Sequence, residues 1–274
     1  MFLFMNFKRI ISKFKKILFY RKYNFFSKFQ ILFNIDQKTS IYGQKLVLPP
    51  GHLLTMYNSL YPEYDKFISQ LVKNIKRGNS VIDIGANVGD TLIRLIKANP
   101  KLKYFSIEAD DFFFKYLQKN KESYSMNHVT QITLINELVG LNLTGNLSKT
   151  TTGTKTLIES KDGTKSKTLD EIILDNNIKN IALIKVDVDG YDYNVLLSGM
   201  NNIIKYKPML FFEYMGLNKI KYLNLLNELY KIGYTKWTAL DNYGKIIFEC
   251  QDFINIINLI DSKNEIIIDI YCDS

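Results

Sequence analysis

Residues 81–90, V-I-D-I-G-A-N-V-G-D, restrict what this chain can fold into more than any other segment. A short apolar strand runs into an acidic residue and a tight glycine turn, and a helix begins at once. Such an elbow lays bare backbone against a bound ligand. Gly85 and Gly89 take backbone angles that side chains forbid, and they leave room for a flat or bulky group. The helix from Asp90 turns Leu92, Ile93, Leu95 and Ile96 inward and stops before Pro100. The elbow is a ligand site, and its ligand must be read from the rest of the chain.

With 274 residues and a hydrophobic fraction of 46%, the chain is long enough for one large α/β domain with extras, or for two small ones. The two cysteines, Cys250 and Cys272, form no metal-ligand pattern, and a reducing cytoplasm is the default compartment. The net charge of +9 is unevenly placed. Residues 1–35 carry eight Lys or Arg and no Asp or Glu. Removing those eight from 36 leaves 28 basic residues against 27 acidic, a nearly neutral body. A nucleic-acid binder would spread basic charge over the folded domain, so no nucleic-acid partner is expected.

Within this arm Phe7, Ile10, Ile11, Phe14, Ile17 and Leu18 recur at helical spacing between lysines. Two readings stay open. The arm lies on an anionic membrane surface, at the inner face, or it packs on the domain or on a second copy in a homo-oligomer. No apolar run approaches the roughly 20 residues of a membrane span, and no signal-peptide core with a cleavage site is present.

The organisation reads as a basic arm over 1–40, a cap or extension over 41–79, and a ligand-binding domain over 80–274. Residues 41–50 read as an edge strand or hairpin, and 52–76 as helical, broken near Pro62. Strands are predicted at Ser80–Ile84, Lys103–Glu108, Val129–Ile135, Ile181–Val188, Met209–Glu213, Thr235–Leu240, Lys245–Glu249 and Glu265–Tyr271. Helices fall between most of them, including a single one over Asp192–Ile204. Residues 140–167, with four glycines among many Thr and Lys, read as a hairpin or flap. Continuous apolar strands such as I-A-L-I-K-V-D-V belong to a sheet buried on both faces, so the fold is a doubly wound, mostly parallel α/β sheet.

In such sheets ligands sit beyond the carboxyl ends of the strands. Those ends carry Asp83, Glu108, Asp187, Asp189 and Glu213. A carboxylate in the position of Glu108 accepts hydrogen bonds from both hydroxyls of a ribose. The glycine spacing is G-x-x-x-G and not G-x-G-x-x-G, and Asp90 at the helix start repels phosphate. An acidic rim suits a cation with a ribose and no phosphate, which describes S-adenosylmethionine.

These segments, with S-I-E-A-D, T-L-D-E-I, L-I-K-V-D-V-D-G-Y-D-Y-N-V-L-L-S-G and K-P-M-L-F-F-E-Y, resemble the FkbM-type methyltransferases over about residues 40–272. Two positions depart from that pattern: Asp189 replaces a usual glutamate, and Asp90 replaces a frequent aromatic. The resemblance implies a Rossmann-like class I methyltransferase using S-adenosylmethionine, generally for O-methylation, often of sugars in bacterial surface polysaccharides, glycans or natural products. It implies that Asp83, Gly85, Ala86, Asn87 and Gly89 surround the methionine end of the cofactor and that Glu108 takes the ribose. Asn136 and Leu138 would lie near the adenine, and Asp187 beside the transferring methyl.

A sugar hydroxyl is a poor nucleophile, so a base or a metal should assist. Asp187 is the first candidate for base or orienting group, followed by Asp189 and Glu213. The same carboxylates would suit a divalent cation such as Mg²⁺, though their spacing matches no metal motif. His52 and His128 are read as packing or surface residues, and Tyr61 and Glu63 as either a cap over the cofactor or a simple turn. A non-carbohydrate acceptor, a nicotinamide-dependent dehydrogenase and a non-catalytic scaffold remain the competing functions. The acceptor itself, a free, nucleotide-linked or lipid-linked sugar, is not legible.

Overall fold

The computed structural model describes residue 21 and residues 23–124, 130–149, 155–251, 253–262 and 267–274. The helix expected over Phe7–Leu18 and the position of His128 lie outside the described residues.

The alternation predicted from residue 80 onward is present. The parallel strands are β3 (Ser80–Ile84), β4 (Lys103–Ile107), β5 (Gln131–Ile135), β9 (Ile181–Val186) and β10 (Met209–Tyr214). Three more strands complete the sheet: β11 (Lys236–Asp241), β12 (Ile246–Cys250) and β13 (Ile268–Asp273). The order across the sheet is β12-β11-β13-β10-β9-β3-β4-β5, with β13 antiparallel to both of its neighbours. From β3 the chain winds outward to β4 and β5, then crosses back to β9 and β10. The winding direction therefore reverses between β3 and β9.

Both faces of the sheet are covered because its central strands are apolar on both sides. Val81 and Leu183 pack with α2 (Leu54–Leu60), α3 (Lys66–Leu71), α4 (Asp90–Ala98) and α5 (Asp111–Tyr124). The alternate residues Ile82 and Ile184 face α6 (Leu169–Asp175), α7 (Asp192–Leu197), α8 (Met200–Tyr206), α9 (Lys219–Lys231) and α10 (Phe253–Ser262). The start of α6 is closed by a capping box, in which Thr168 and Glu171 satisfy each other's backbone N–H groups.

Several predicted boundaries shift for physical reasons. The helix expected over Asp192–Ile204 is two helices, because Asp170 of α6 takes over the ladder at the break: its N–H donates to the carbonyl of Ser198 at 3.2 Å, and its Oδ1 accepts the N–H of Asn202 at 3.1 Å. The helical stretch at 52–76 divides around Pro62 into α2 and α3. Ahead of it, α1 (residues 23–32) leads to a hairpin of β1 (Gln37–Ile41) and β2 (Gln44–Leu48). Tyr42 and Gly43 turn this hairpin with positive φ at both positions, as a two-residue loop matching the strand twist requires. Residues 140–167 hold a three-stranded sheet of β7 (Lys155–Glu159), β6 (Thr144–Lys149) and β8 (Thr164–Lys165). Among the described residues no helix is long and apolar enough to cross a membrane.

Candidate functional site

Reversal of the winding leaves a crevice beyond the carboxyl ends of β3 and β9. A cavity of about 290 Å³ opens there, floored by Ile84, Gly85 and Asn87 and walled by α2, α3, the end of β4 and the three-stranded sheet.

The floor depends on glycine. Gly85 has φ +76°, and a Cβ on it would stand 1.9 Å from the carbonyl oxygen of Asp187. Only glycine lets the ends of β3 and β9 come this close. Gly85 and Ala86 donate their N–H groups to the carbonyl of Ile107, both at 3.0 Å, which ties the elbow to β4. Gly89 seats the start of α4 against Leu117 of α5.

Asn87 occupies the left-handed region at φ 49° and is held on two sides. Its N–H donates to Oε2 of Glu108 at 2.8 Å, and its Oδ1 lies 3.2 Å from Nε2 of His52. The N–H of Leu54 donates to Nδ1 of His52 at 3.2 Å, so the ring proton of neutral His52 sits on Nε2, pointing to Asn87. Burial holds the His52 pKa below its ordinary value. Its sequence context suggested a packing or surface residue; the structure places it on the cavity wall.

Glu108 is buried, and each carboxylate oxygen takes one backbone N–H, from Asn87 and from Asp110 at 2.8 Å. Each oxygen keeps a second acceptor site toward a ligand. Burial outweighs these bonds and pushes the Glu108 carboxyl up to about 7. Leu138 lines the cavity. Asn136 donates to the carbonyl of Glu108 at 2.9 Å and lines a recess that adjoins the cavity and shares Leu138 with it.

Lys185 links the remaining acids. It is 4% exposed, in the middle of the sheet, with Nζ 3.1 Å from Oδ1 of Asp83, 3.3 Å from Oδ2 of Asp187 and 3.4 Å from the carbonyl of Gly85. Burial pulls the ammonium pKa down, but Asp83, Asp187 and Asp65 together carry it well above the usual lysine range. Burial raises the carboxyl of Asp83 against the pull of Lys185, and Asp83 Oδ2 has no hydrogen-bond partner among the described residues. The Asp187 side chain, by contrast, is half exposed and lines the cavity.

The other two candidate acids differ from Asp187 in setting. Asp189 lines the cavity with φ 51°, and its carbonyl accepts from Thr156 of β7 at 3.3 Å. Glu213 is pushed up to about 10, first by burial and then by Asp187, Asp192, Asp269 and Asp189. At neutral pH it carries a proton. Asp269 stands directly across from it on β13 and is raised well above the carboxylate range, mainly by burial. Asp192 is fully buried and accepts the N–H groups of Glu213 at 3.0 Å and Val188 at 3.3 Å. It ties the turn after β9 to the last residues of β10.

Three further elements close the site. Tyr57 and Tyr64, stacked at 5.4 Å, line it from the cap. Tyr61 stacks instead on Tyr243 at 3.8 Å, pinning the cap to the β11–β12 turn, while Glu63 pairs with Lys66 at 3.2 Å. Lys155 reaches in from β7 and pairs with Asp110 at 2.5 Å. In all, eight carboxylate side chains and two lysines face the cavity. Among the described residues no group of three His, Cys, Asp or Glu has the geometry to hold a metal ion.

The doubly wound sheet defines a Rossmann-like protein with a crevice at its switch point. Residues 83–253 match the methyltransferase FkbM domain, and the chain belongs to that methyltransferase family. A comparison with curated proteins finds no sequence match. Among solved structures, an FkbM methyltransferase from Methylobacillus flagellatus KT is similar at 17% identity and TM-score 0.42, over 80% of this chain and 51% of that one. The human methyltransferase 10 domain containing protein is 12% identical at TM-score 0.48, over 85% and 89% of the two chains. TrmK of M. capricolum, solved with S-adenosyl-homocysteine, is 14% identical at TM-score 0.42, over 76% and 67%.

Proposed function

We propose that this methyltransferase uses S-adenosylmethionine to methylate a hydroxyl of a sugar destined for a bacterial surface polysaccharide or related glycan. The observation that carries the cofactor assignment is the acid-lined cavity on a floor of bare backbone. Its excess of carboxylates over lysines suits a sulfonium and an ammonium, and Asp90 in the first turn of α4 disfavours a pyrophosphate. Asp83, Gly85, Ala86, Asn87 and Gly89 would enclose the methionine end. The two remaining acceptor sites of Glu108 would take the ribose hydroxyls, and Leu138 would lie against the base.

The cofactor supplies a methyl group already activated by positive sulfur. The protein must align the acceptor oxygen and remove its proton. Asp187 suits both needs, because it is open to the cavity while Lys185 grips its carboxylate from the buried side. Asp192 fixes the backbone just after Asp187 and at Glu213, which keeps the alignment. The sugar acceptor is inferred from the family and from the acid lining, which offers acceptors to hydroxyl groups. Isothermal calorimetry tests the cofactor: S-adenosylhomocysteine should bind and NAD should not, and the reverse result removes the assignment. Mass spectrometry of candidate glycans for the gain of one methylene tests the acceptor.

A further inference from the structure

The first described helix, α1, has one face fixed to the protein. Ser27 is buried, and Ile31 sits over Gly51, where a Cβ would meet Ile31 Cδ1 at 2.6 Å and Ser27 Oγ at 3.1 Å. The Tyr23 hydroxyl donates to the carbonyl of His52. This face therefore rests on the turn that delivers His52 to the cavity wall. On the opposite side, Phe25, Phe26, Phe29, Leu32 and Phe33 fall within an arc of about 120° at 3.6 residues per turn. All five are exposed, from 47% to 76%. A stripe of this size on a helix whose other face is already engaged marks a surface built to be covered.

Charge selects what covers it. Residues 1–35 contain eight Lys or Arg and no acid. The first acid, Asp36, is engaged by Lys119 at 3.0 Å and by the Tyr116 hydroxyl. A second copy of the chain would bring another basic arm against this one. An anionic lipid surface offers both a hydrocarbon boundary for the phenylalanines and negative charge for the arm. We infer that the aromatic stripe of α1 seats the protein on an anionic membrane surface, with the His52 turn against the opposite face of the same helix. The surface is distinct from the Phe7–Leu18 periodicity and does not depend on the methyl-transfer reading.

Sedimentation of the full chain with vesicles tests this. The protein should pellet with phosphatidylglycerol–phosphatidylcholine vesicles, remain in solution with phosphatidylcholine alone, and dissociate as salt is raised. The triple variant Phe25→Ser, Phe29→Ser, Leu32→Ser should lose at least about tenfold in vesicle affinity at unchanged melting temperature. Should that variant unfold, Lys28→Glu, an exposed change, should still weaken binding to the anionic vesicles several-fold. Failure of the wild type to pellet with anionic vesicles overturns the inference. So does a wild-type dimer that the triple variant converts to monomer without any change in vesicle binding.

Discussion

Gly85 faces the carbonyl of Asp187 so closely that a Cβ on it would lie 1.9 Å from the oxygen. The glycine of the elbow and the acid after β9 thus define one place, the switch point where the sheet reverses its winding. Gly85→Ala must strain φ and push two central strands apart, so it should cost about 2–4 kcal/mol in urea unfolding. Gly78 also has positive φ (+85°) but nothing within 4 Å of an added Cβ. Gly78→Ala should cost only about 1 kcal/mol, the conformational part alone. Equal losses in the two variants would show that the close approach carries no weight.

What is legible in the chain follows from this geometry. Asp83, Gly85, Glu108 and Asp187 can be read because a doubly wound sheet brings its strand ends together, so their chemistry is written in strand order. Leu138 follows by the same logic and lines the cavity, while Asn136, two residues earlier, lines the recess next to it. Residues that act through pairing across the fold are not legible. His52 meets Asn87 only because the cap docks over the elbow, and Asp192 counts only through the turn after β9 and the end of β10 that it joins. Lys185 does leave a signal: a lone cation in the apolar strand I-A-L-I-K-V-D-V requires buried acids beside it. The division at Ser198–Gly199 depends on Asp170, far away in the sequence.

Lys185 neutralises Asp83, which is 1% exposed. Lys185→Met should leave that carboxylate uncompensated and destabilise the protein by about 3–5 kcal/mol. Adding Asp83→Asn should recover part of the loss, since the orphaned charge is gone. A double-mutant cycle in guanidinium measures the coupling; additive effects would mean that the pair is not an ionic unit.

Glu108 ties ligand binding to pH. Its carboxyl is pushed from 4.5 up to about 7 by burial. Between those values the folded protein keeps a proton that the unfolded chain has lost, so this group's contribution to stability falls as pH rises through the window. An ionised carboxylate accepts the ribose hydroxyls more strongly than a neutral carboxyl does, so affinity for S-adenosylhomocysteine should rise as pH passes about 7. Glu108→Gln should abolish that rise and weaken binding at least about tenfold, given the strength of charge-assisted hydrogen bonds. Calorimetry of both proteins across pH reads the difference, and parallel pH profiles would remove the ribose role.

Asp187 and Glu213 end neighbouring parallel strands yet should respond oppositely to amide substitution. Glu213, with its carboxyl pushed up to about 10, is already neutral at physiological pH, so Glu213→Gln exchanges one neutral group for another of the same shape. Its methyl-transfer rate should stay within a few-fold of wild type. Asp187 is open to the cavity and held by Lys185, so Asp187→Asn removes the proton acceptor. That variant should lose about 10²–10⁴-fold in kcat while still binding S-adenosylhomocysteine. The contrast separates base from scaffold, because both changes preserve volume and differ only in the charge they remove. A Glu213→Gln enzyme as slow as Asp187→Asn would mean that the buried acid reaches the acceptor in its ionised form, and the proton's destination would have to be sought there.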